Sequence, residues 1–178
     1  MATLNRDDII AALERLGQLA LEETLTIELI AMGGAVMVLA YNARLSTRDV
    51  DVMIVAPRDA QRVRQLAARV AVERHWPEDW LNEGAKGYLV GISEGFLLLS
   101  SPGIVVRSPS VEQLLAMKLS AWRDDVDIAD ARRLLEELRS IDDRDVVWSR
   151  IEPYLSPGDE LTAQYGFQDL WESLHGND

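Results

Sequence analysis

The chain has 178 residues, 48% of them hydrophobic, with a formal net charge of -12 and no cysteine. That length supports a buried core in one domain, or in a domain with a helical appendage. The acid excess argues against non-specific binding to nucleic acid or to an anionic membrane surface, both of which are negative.

Without cysteine there are no disulfides or thiolate metal sites, and His75 and His175 alone argue against a structural zinc centre. The stretch Met1–Asp8 is too polar and acidic for a signal peptide. The longest apolar run, Thr26–Tyr41, is interrupted by Glu28 and by Gly33-Gly34 and falls short of the roughly 20 apolar residues of a membrane helix. A cytoplasmic protein with no membrane partner is expected.

Asn5 or Asp7 can cap a first helix, in which Ile9, Ile10, Leu13, Leu16, Ala20 and Leu21 follow the helical period. Thr24–Met32 reads as a buried strand that ends at the two glycines. Ala35–Ala43 reads as a helix behind that turn, with its N-terminal N–H groups offered to an anion. Asp49–Val55 is the next strand, and its alternation sets Val50, Val52 and Ile54 on one face and Asp49, Asp51 and Met53 on the other. Two acids on one strand face can share a divalent cation, and Ser46-Thr47 just before them adds hydroxyls.

Pro57–His75 reads as a helix with Val63, Leu66, Ala67 and Val70 inward. Arg58, Arg62, Arg64, Arg69 and Arg74 decorate it, either as a solvated face or as a local landing strip for a phosphate-bearing substrate. Trp76–Asn82 reads as a connector. Tyr88–Ile92, Phe96–Ser100 and Ile104–Arg107 read as the remaining strands. Ser108 or Ser110 caps a further helix running to Trp122, with Lys118 as the one cation in its apolar run. After the acidic stretch Asp124–Asp130, Ile128–Leu138 resumes a helix, and helical pieces follow at Asp145–Tyr154 and Gln164–Leu174. Their aromatic residues, Trp148, Tyr154, Phe167 and Trp171, read as core.

Gly33-Gly34, the helix behind it, and Thr47-Arg48-Asp49-Val50-Asp51 resemble the signature of the nucleotidyltransferase fold shared by DNA polymerase beta, the lincosamide and aminoglycoside nucleotidyltransferases and the minimal nucleotidyltransferases. Glu112–Leu119 with Arg123, Asp127 and Asp130 resembles a second block of the abortive-infection and toxin-antitoxin nucleotidyltransferases. Asp79-Trp80-Leu81-Asn82-Glu83 resembles a segment of a bacterial nucleotidyltransferase-like family of unassigned function. Together these blocks span about residues 26 to 138.

The resemblance implies an α+β nucleotidyltransferase fold: a mixed β-sheet flanked by helices, followed by a C-terminal helical segment. Its expected organisation is an N-terminal helix over 1–25, an α/β core over 26–108 and a helical region over 109–178 packed on the core as a single compact unit. It implies Mg²⁺ or Mn²⁺ held by Asp49 and Asp51, and a nucleoside triphosphate bound near Gly33, Gly34, Ser46, Thr47, Arg48, Lys118, Arg123 and Asp127. One cation would neutralise the triphosphate while a second activates the acceptor oxygen for in-line attack on the α-phosphorus. Ser46, Thr47 and Lys118 would stabilise the phosphoryl oxygens, although Lys118 also reads as a snorkelling surface residue.

Active members of that fold add a third acid from a later strand, and Glu83 stands ahead of Glu94 for this part. Asp127 and Asp130 read either as capping acids at a helix start or, with Arg123, as a cluster that closes over the nucleotide or fixes Lys118 by an ion pair. Two functions follow. One is a Mg²⁺-dependent nucleotidyltransferase acting on a protein, RNA or small molecule, within a toxin-antitoxin or phage-defence pair. The other is a catalytically weak or inactive protein of the same fold that holds a cognate toxin or other partner, as an antitoxin does.

Overall fold

The computed structural model describes residues 3–122 and 125–176. Its class is α+β: the described residues contain seven α-helices and a five-stranded mixed sheet. They form two compact units, one made of the residues up to Lys86 with Gly95–Ser108, the other of Gly87–Glu94 with those from Pro109 onward.

In the first unit, β1 (Leu4–Asn5) leads into α1 (Arg6–Glu22). Asn5 accepts from the Asp8 N–H while Asp8 accepts from the Asn5 N–H, a reciprocal capping box that satisfies two orphan donors. The inward residues Ile9, Leu13, Leu16 and Ala20 recur at the helical period and are fully buried.

The sheet order is β5-β4-β2-β7-β6, with β2 (Ile27–Met32) at its centre. β4 (Val50–Ala56) runs antiparallel to β2, whereas β7 (Ile104–Arg107) runs parallel to it. β6 (Leu97–Ser101) and β5 (Leu81–Asn82) form the edges, antiparallel to β7 and parallel to β4 respectively. α3 (Ala60–Arg74), capped by Asp59, lies against β4 and α1, with Val63, Leu66, Ala67, Val70 and Ala71 buried.

Several elements differ from the sequence reading. Thr24 has a positive φ of 58° and belongs to a turn, so β2 starts at Ile27 rather than at Thr24. α2 is Gly33–Leu39, starting earlier and ending sooner than Ala35–Ala43, and the Arg6 guanidinium donates to the Leu39 carbonyl at its end. Ser46-Thr47 forms a short strand, β3, antiparallel to β1.

The connector Trp76–Asn82 contains a 3-10 turn, Glu78–Trp80, and then β5. What ties it down is Trp80: its indole is 1% exposed and donates to the Ala67 carbonyl of α3 at 2.9 Å. Tyr88–Ile92 is not a strand. The Val90 and Gly91 carbonyls accept from the Gln113 side-chain amide at 2.8 and 3.1 Å instead of from a neighbouring strand, and Gly91 has a φ of +69°.

The second unit contains α4 (Val111–Ala121), α5 (Asp125–Glu137), α6 (Arg144–Ile151) and α7 (Glu160–His175). α5 begins three residues before Ile128, so the acidic stretch supplies its first turn, where carboxylates are favoured by the free N–H groups. Phe167 is buried between Trp148 at 5.3 Å and Trp171 at 5.8 Å, ring centre to ring centre, which ties α6 to α7. No described helix is long and apolar enough to cross a membrane.

Gly17 tests the packing of α1. In a helix interior alanine is favoured over glycine by about 1 kcal/mol, yet a Cβ on Gly17 would stand 2.6 Å from Ile104 Cγ2 and from the Pro102 carbonyl oxygen. Gly17→Ala is therefore expected to lower stability by about 1–3 kcal/mol, read as a fall in the urea midpoint. A raised midpoint would show that helix propensity outweighs the contact.

Candidate functional site

The antiparallel pairing of β2 with β4 sets Met32 opposite Asp51. Gly33 follows Met32 directly, with a φ of +63°, a region that side-chain-bearing residues rarely adopt. A Cβ on Gly33 would lie 2.9 Å from Asp51 Oδ2, and one on Gly34 would collide with Thr47 Oγ1. Both glycines thus permit a close approach, one to a carboxylate and one to a hydroxyl. The structure brings Gly33, Gly34, Thr47 and Asp51 together, although they come from three separate segments.

Val50 and Val52 are buried, at 0% and 1% exposure, which turns Asp51 to the opposite face of the strand. Asp49 lies just ahead of β4, half-buried, and accepts from Asn82 Nδ2 at 3.0 Å. Asp51 accepts from the Ala85 N–H at 3.2 Å. Ser46 is half-buried in β3, Thr47 is buried beside it and Arg48 is exposed.

Because α2 has only seven residues, its dipole is that of about two turns, and the Asp51 carboxylate already faces its first residue. The Arg44 guanidinium stands at the same turn, its Nη1 3.2 Å from where a Cβ on Gly34 would lie, so the turn carries a cation beside the carboxylate. Two carboxylates and nearby hydroxyls are hard oxygen donors of the kind Mg²⁺ or Mn²⁺ takes. Among the described residues no group of three or more Asp, Glu, His or Cys side chains converges on a metal position.

The residue that β5 sets opposite Asp51 is Asn82, an amide rather than an acid. Glu83, next in the chain, forms ion pairs with Arg64 and, at 3.3 Å, with Lys86. Burial pushes its carboxyl up, but the hydrogen bonds and positive charges of Arg64 and Lys86 together outweigh that and hold it below the ordinary carboxylate value. A carboxylate held that way is a weak proton acceptor near neutral pH. Glu94 lies in the irregular segment before β6, in the second unit.

Next to Glu83, Val52, Ile54 and Leu81 floor a groove of about 370 Å³ whose rim carries Arg64, Asn82 and Glu83. Strand alternation turns Val52 and Ile54 away from the Asp51 face. Asn82 is the residue common to the groove and the acids.

The arginines of α3 are engaged locally. Arg62 and Arg69 pair with Glu23, Arg69 also with Glu22, and Arg64 with Glu83, so the solvated, ion-paired face is what the structure contains. Arg74 lies over the Trp76 ring at 5.1 Å.

Lys118 belongs to the second unit, where its ammonium sits 2.8 Å from Asp127 Oδ1 and 2.8 Å from Asp130 Oδ2. The side chains are 12%, 5% and 2% exposed, so this is a buried charge cluster linking α4 to α5 rather than a snorkelling lysine. Arg123 lies outside the described residues.

Sequence reasoning passed over two residues. Asn82 sat in a segment read as a connector, and Gln113 stood within an apolar helical run. Gln113 is fully buried and uses both ends of its amide, accepting from the Ser93 N–H and hydroxyl at 3.0 and 2.5 Å. A lone amide at an inward helical position is the signal that marks it.

Lys118→Met, which keeps the stem and removes the charge, is expected to cost about 3 kcal/mol in chemical denaturation, since Asp127 and Asp130 stay buried without it. Glu83→Gln tests the Arg64 and Lys86 pairs. Folding lowers the Glu83 pKa, so its contribution is fully present above the ordinary carboxylate value of about 4.3 and is lost as pH falls through the lower folded value. The stability gap between wild type and Glu83→Gln, followed by thermal melts, is expected to be widest at pH 7 and to close in acid. No family model, curated protein or solved structure matches the chain.

Proposed function

We propose that the first unit carries the site of a Mg²⁺-dependent nucleotidyltransferase, which moves a nucleoside monophosphate from a triphosphate to a protein, RNA or small-molecule acceptor. The observation that carries this reading is the Met32–Asp51 register, by which a left-handed glycine turn meets the carboxylate of Asp51, two residues after Asp49. The blocks that resemble the nucleotidyltransferase fold contribute the halves of that meeting, Gly33-Gly34 and Asp49-Val50-Asp51. The likeness of Glu112–Leu119, with Arg123, Asp127 and Asp130, to abortive-infection and toxin-antitoxin nucleotidyltransferases supports a role in such a pair.

In this reading Asp49 and Asp51 hold Mg²⁺ or Mn²⁺, which when bound supplies the positive charge that a triphosphate requires beside two carboxylates. Gly33 and Gly34 let the Asp51 carboxylate and the Thr47 hydroxyl come up against the turn, because neither carries a side chain there. The Thr47 hydroxyl, close against Gly34, is a donor available to a phosphate oxygen. Asn82 and the Ala85 N–H hold the two carboxylates from the side of β5.

A second reading is favoured by the state of Glu83. Its carboxylate is engaged by Arg64 and Lys86, and β5 offers an amide where a further acid would stand, so neither Glu83 nor Asn82 is a poised base for removal of an acceptor proton. On this reading the protein keeps the nucleotide-type site, transfers weakly or not at all, and serves as an antitoxin-like protein-binding partner.

Incubation of the purified chain with α-labelled nucleoside triphosphates and Mg²⁺ is expected to transfer label to an acceptor, and Asp49→Ala combined with Asp51→Ala to reduce transfer to background. Transfer that persists in the double variant would reject the assigned acids. A rise in Tm with ATP and Mg²⁺, without transfer to any acceptor, would instead support the second reading.

A further inference from the structure

Asn82 ends β5, half-buried, and its contacts fix which way its amide points. Nδ2 donates to Asp49 Oδ2 at 3.0 Å and to the Asp79 carbonyl at 3.3 Å, while Oδ1 accepts from the Gly84 N–H at 2.7 Å. A backbone N–H pairs only with the amide oxygen and a carboxylate only with the amide nitrogen, so all three bonds agree on one orientation.

The same turn reaches the second acid. The Ala85 N–H donates to Asp51 Oδ1 at 3.2 Å, and Gly84 comes so close that a Cβ there would stand 2.8 Å from Asn82 Oδ1 and 3.5 Å from Asp51 Oδ1. Each carboxylate of the pair is thus held by a donor from residues 82–85. Two ionised carboxylates near each other repel, and a donor on each offsets that repulsion while restricting the rotation of the side chain.

We propose that Asn82 is a positioning residue: its amide, oriented by the Gly84 N–H, holds the Asp49 carboxylate in the orientation in which Asp49 and Asp51 together take one divalent cation. This rests on the nucleotidyltransferase reading of the two acids. Asn82 acts through Asp49, since the nitrogen turned toward the site carries protons and no lone pair for a metal.

The probe is Mn²⁺ alone, with the free ion measured by electron paramagnetic resonance on the full chain well below its Tm. Wild type is expected to bind one Mn²⁺, and Asp49→Ala to lose it. Asn82→Ala is expected to weaken Mn²⁺ binding by about 10- to 100-fold, the range found when an outer partner of a metal ligand is removed. A merely structural Asn82 would lower Tm in that variant and leave the Mn²⁺ affinity of the folded protein unchanged.

Unchanged affinity in Asn82→Ala, with binding still lost in Asp49→Ala, overturns the positioning role and leaves the reading of the acids intact. No Mn²⁺ bound by wild type overturns both. Should Asn82→Ala not fold, Asn82→Leu decides: it keeps about the same volume without a donor to Asp49, so Mn²⁺ binding weakened by about 10- to 100-fold supports the assignment. Binding equal to that of wild type overturns it.

Discussion

The register between β2 and β4 is the constraint on which the first unit depends. Side chains alternate along a strand, so slipping the pairing by one residue would turn Val50 and Val52 to the opposite face and drive Asp51 into the core. The buried valines therefore enforce the position of the acid: two apolar side chains at near-zero exposure hold a charged one in place. With Met32 fixed opposite Asp51, the next residue has to turn tightly against a carboxylate, which is why a glycine stands there. The other side of β4 is set from farther away, by the Trp80 indole bound to a carbonyl of α3, which delivers Leu81 and Asn82 alongside Val50 and Asp51.

Charge is handled locally in both units. The chain is strongly acidic. Arg62, Arg64 and Arg69 of α3 pair with Glu22, Glu23 and Glu83, Arg15 of α1 pairs with Glu73 of α3, and in the second unit Lys118 is shared by two buried aspartates. Exposed pairs of this kind contribute little stability, about 0–1 kcal/mol each. Their larger effect is on what remains available: cations paired in this way do not add up to a polyanion surface.

The elements legible in the sequence were those with a period long enough to read. α1, α3 and β7 carry regular apolar spacing, and their inward residues are the buried ones. The two-acid pattern was legible for the same reason, since Val50 and Val52 alternate with Asp49 and Asp51. β5 was not, because two residues show no alternation and its place comes from a hydrogen bond made by Trp80 to a helix residue thirteen positions away. The apolar run Tyr88–Ile92 looked like a strand, but a side chain from α4 takes its carbonyls. Asn82 escaped notice for a related reason: its importance lies in partners at Asp49 and Gly84 that only the fold brings to it.

The place of β7 beside β2 has a consequence for how the chain matures. Ile27 pairs with Ile104, so one flank of the central strand stays open until the chain past residue 104 has been synthesised, while β4, on the other flank, is available much earlier. During that interval the glycine turn and the acids can already be assembled on a sheet whose free edge is the backbone of Ile27–Ile30. Such an edge invites pairing with other chains. Closing it joins residues far apart in sequence, the kind of contact that slows folding. The strand that completes the sheet thus also ends the period in which the nascent chain is most exposed to association.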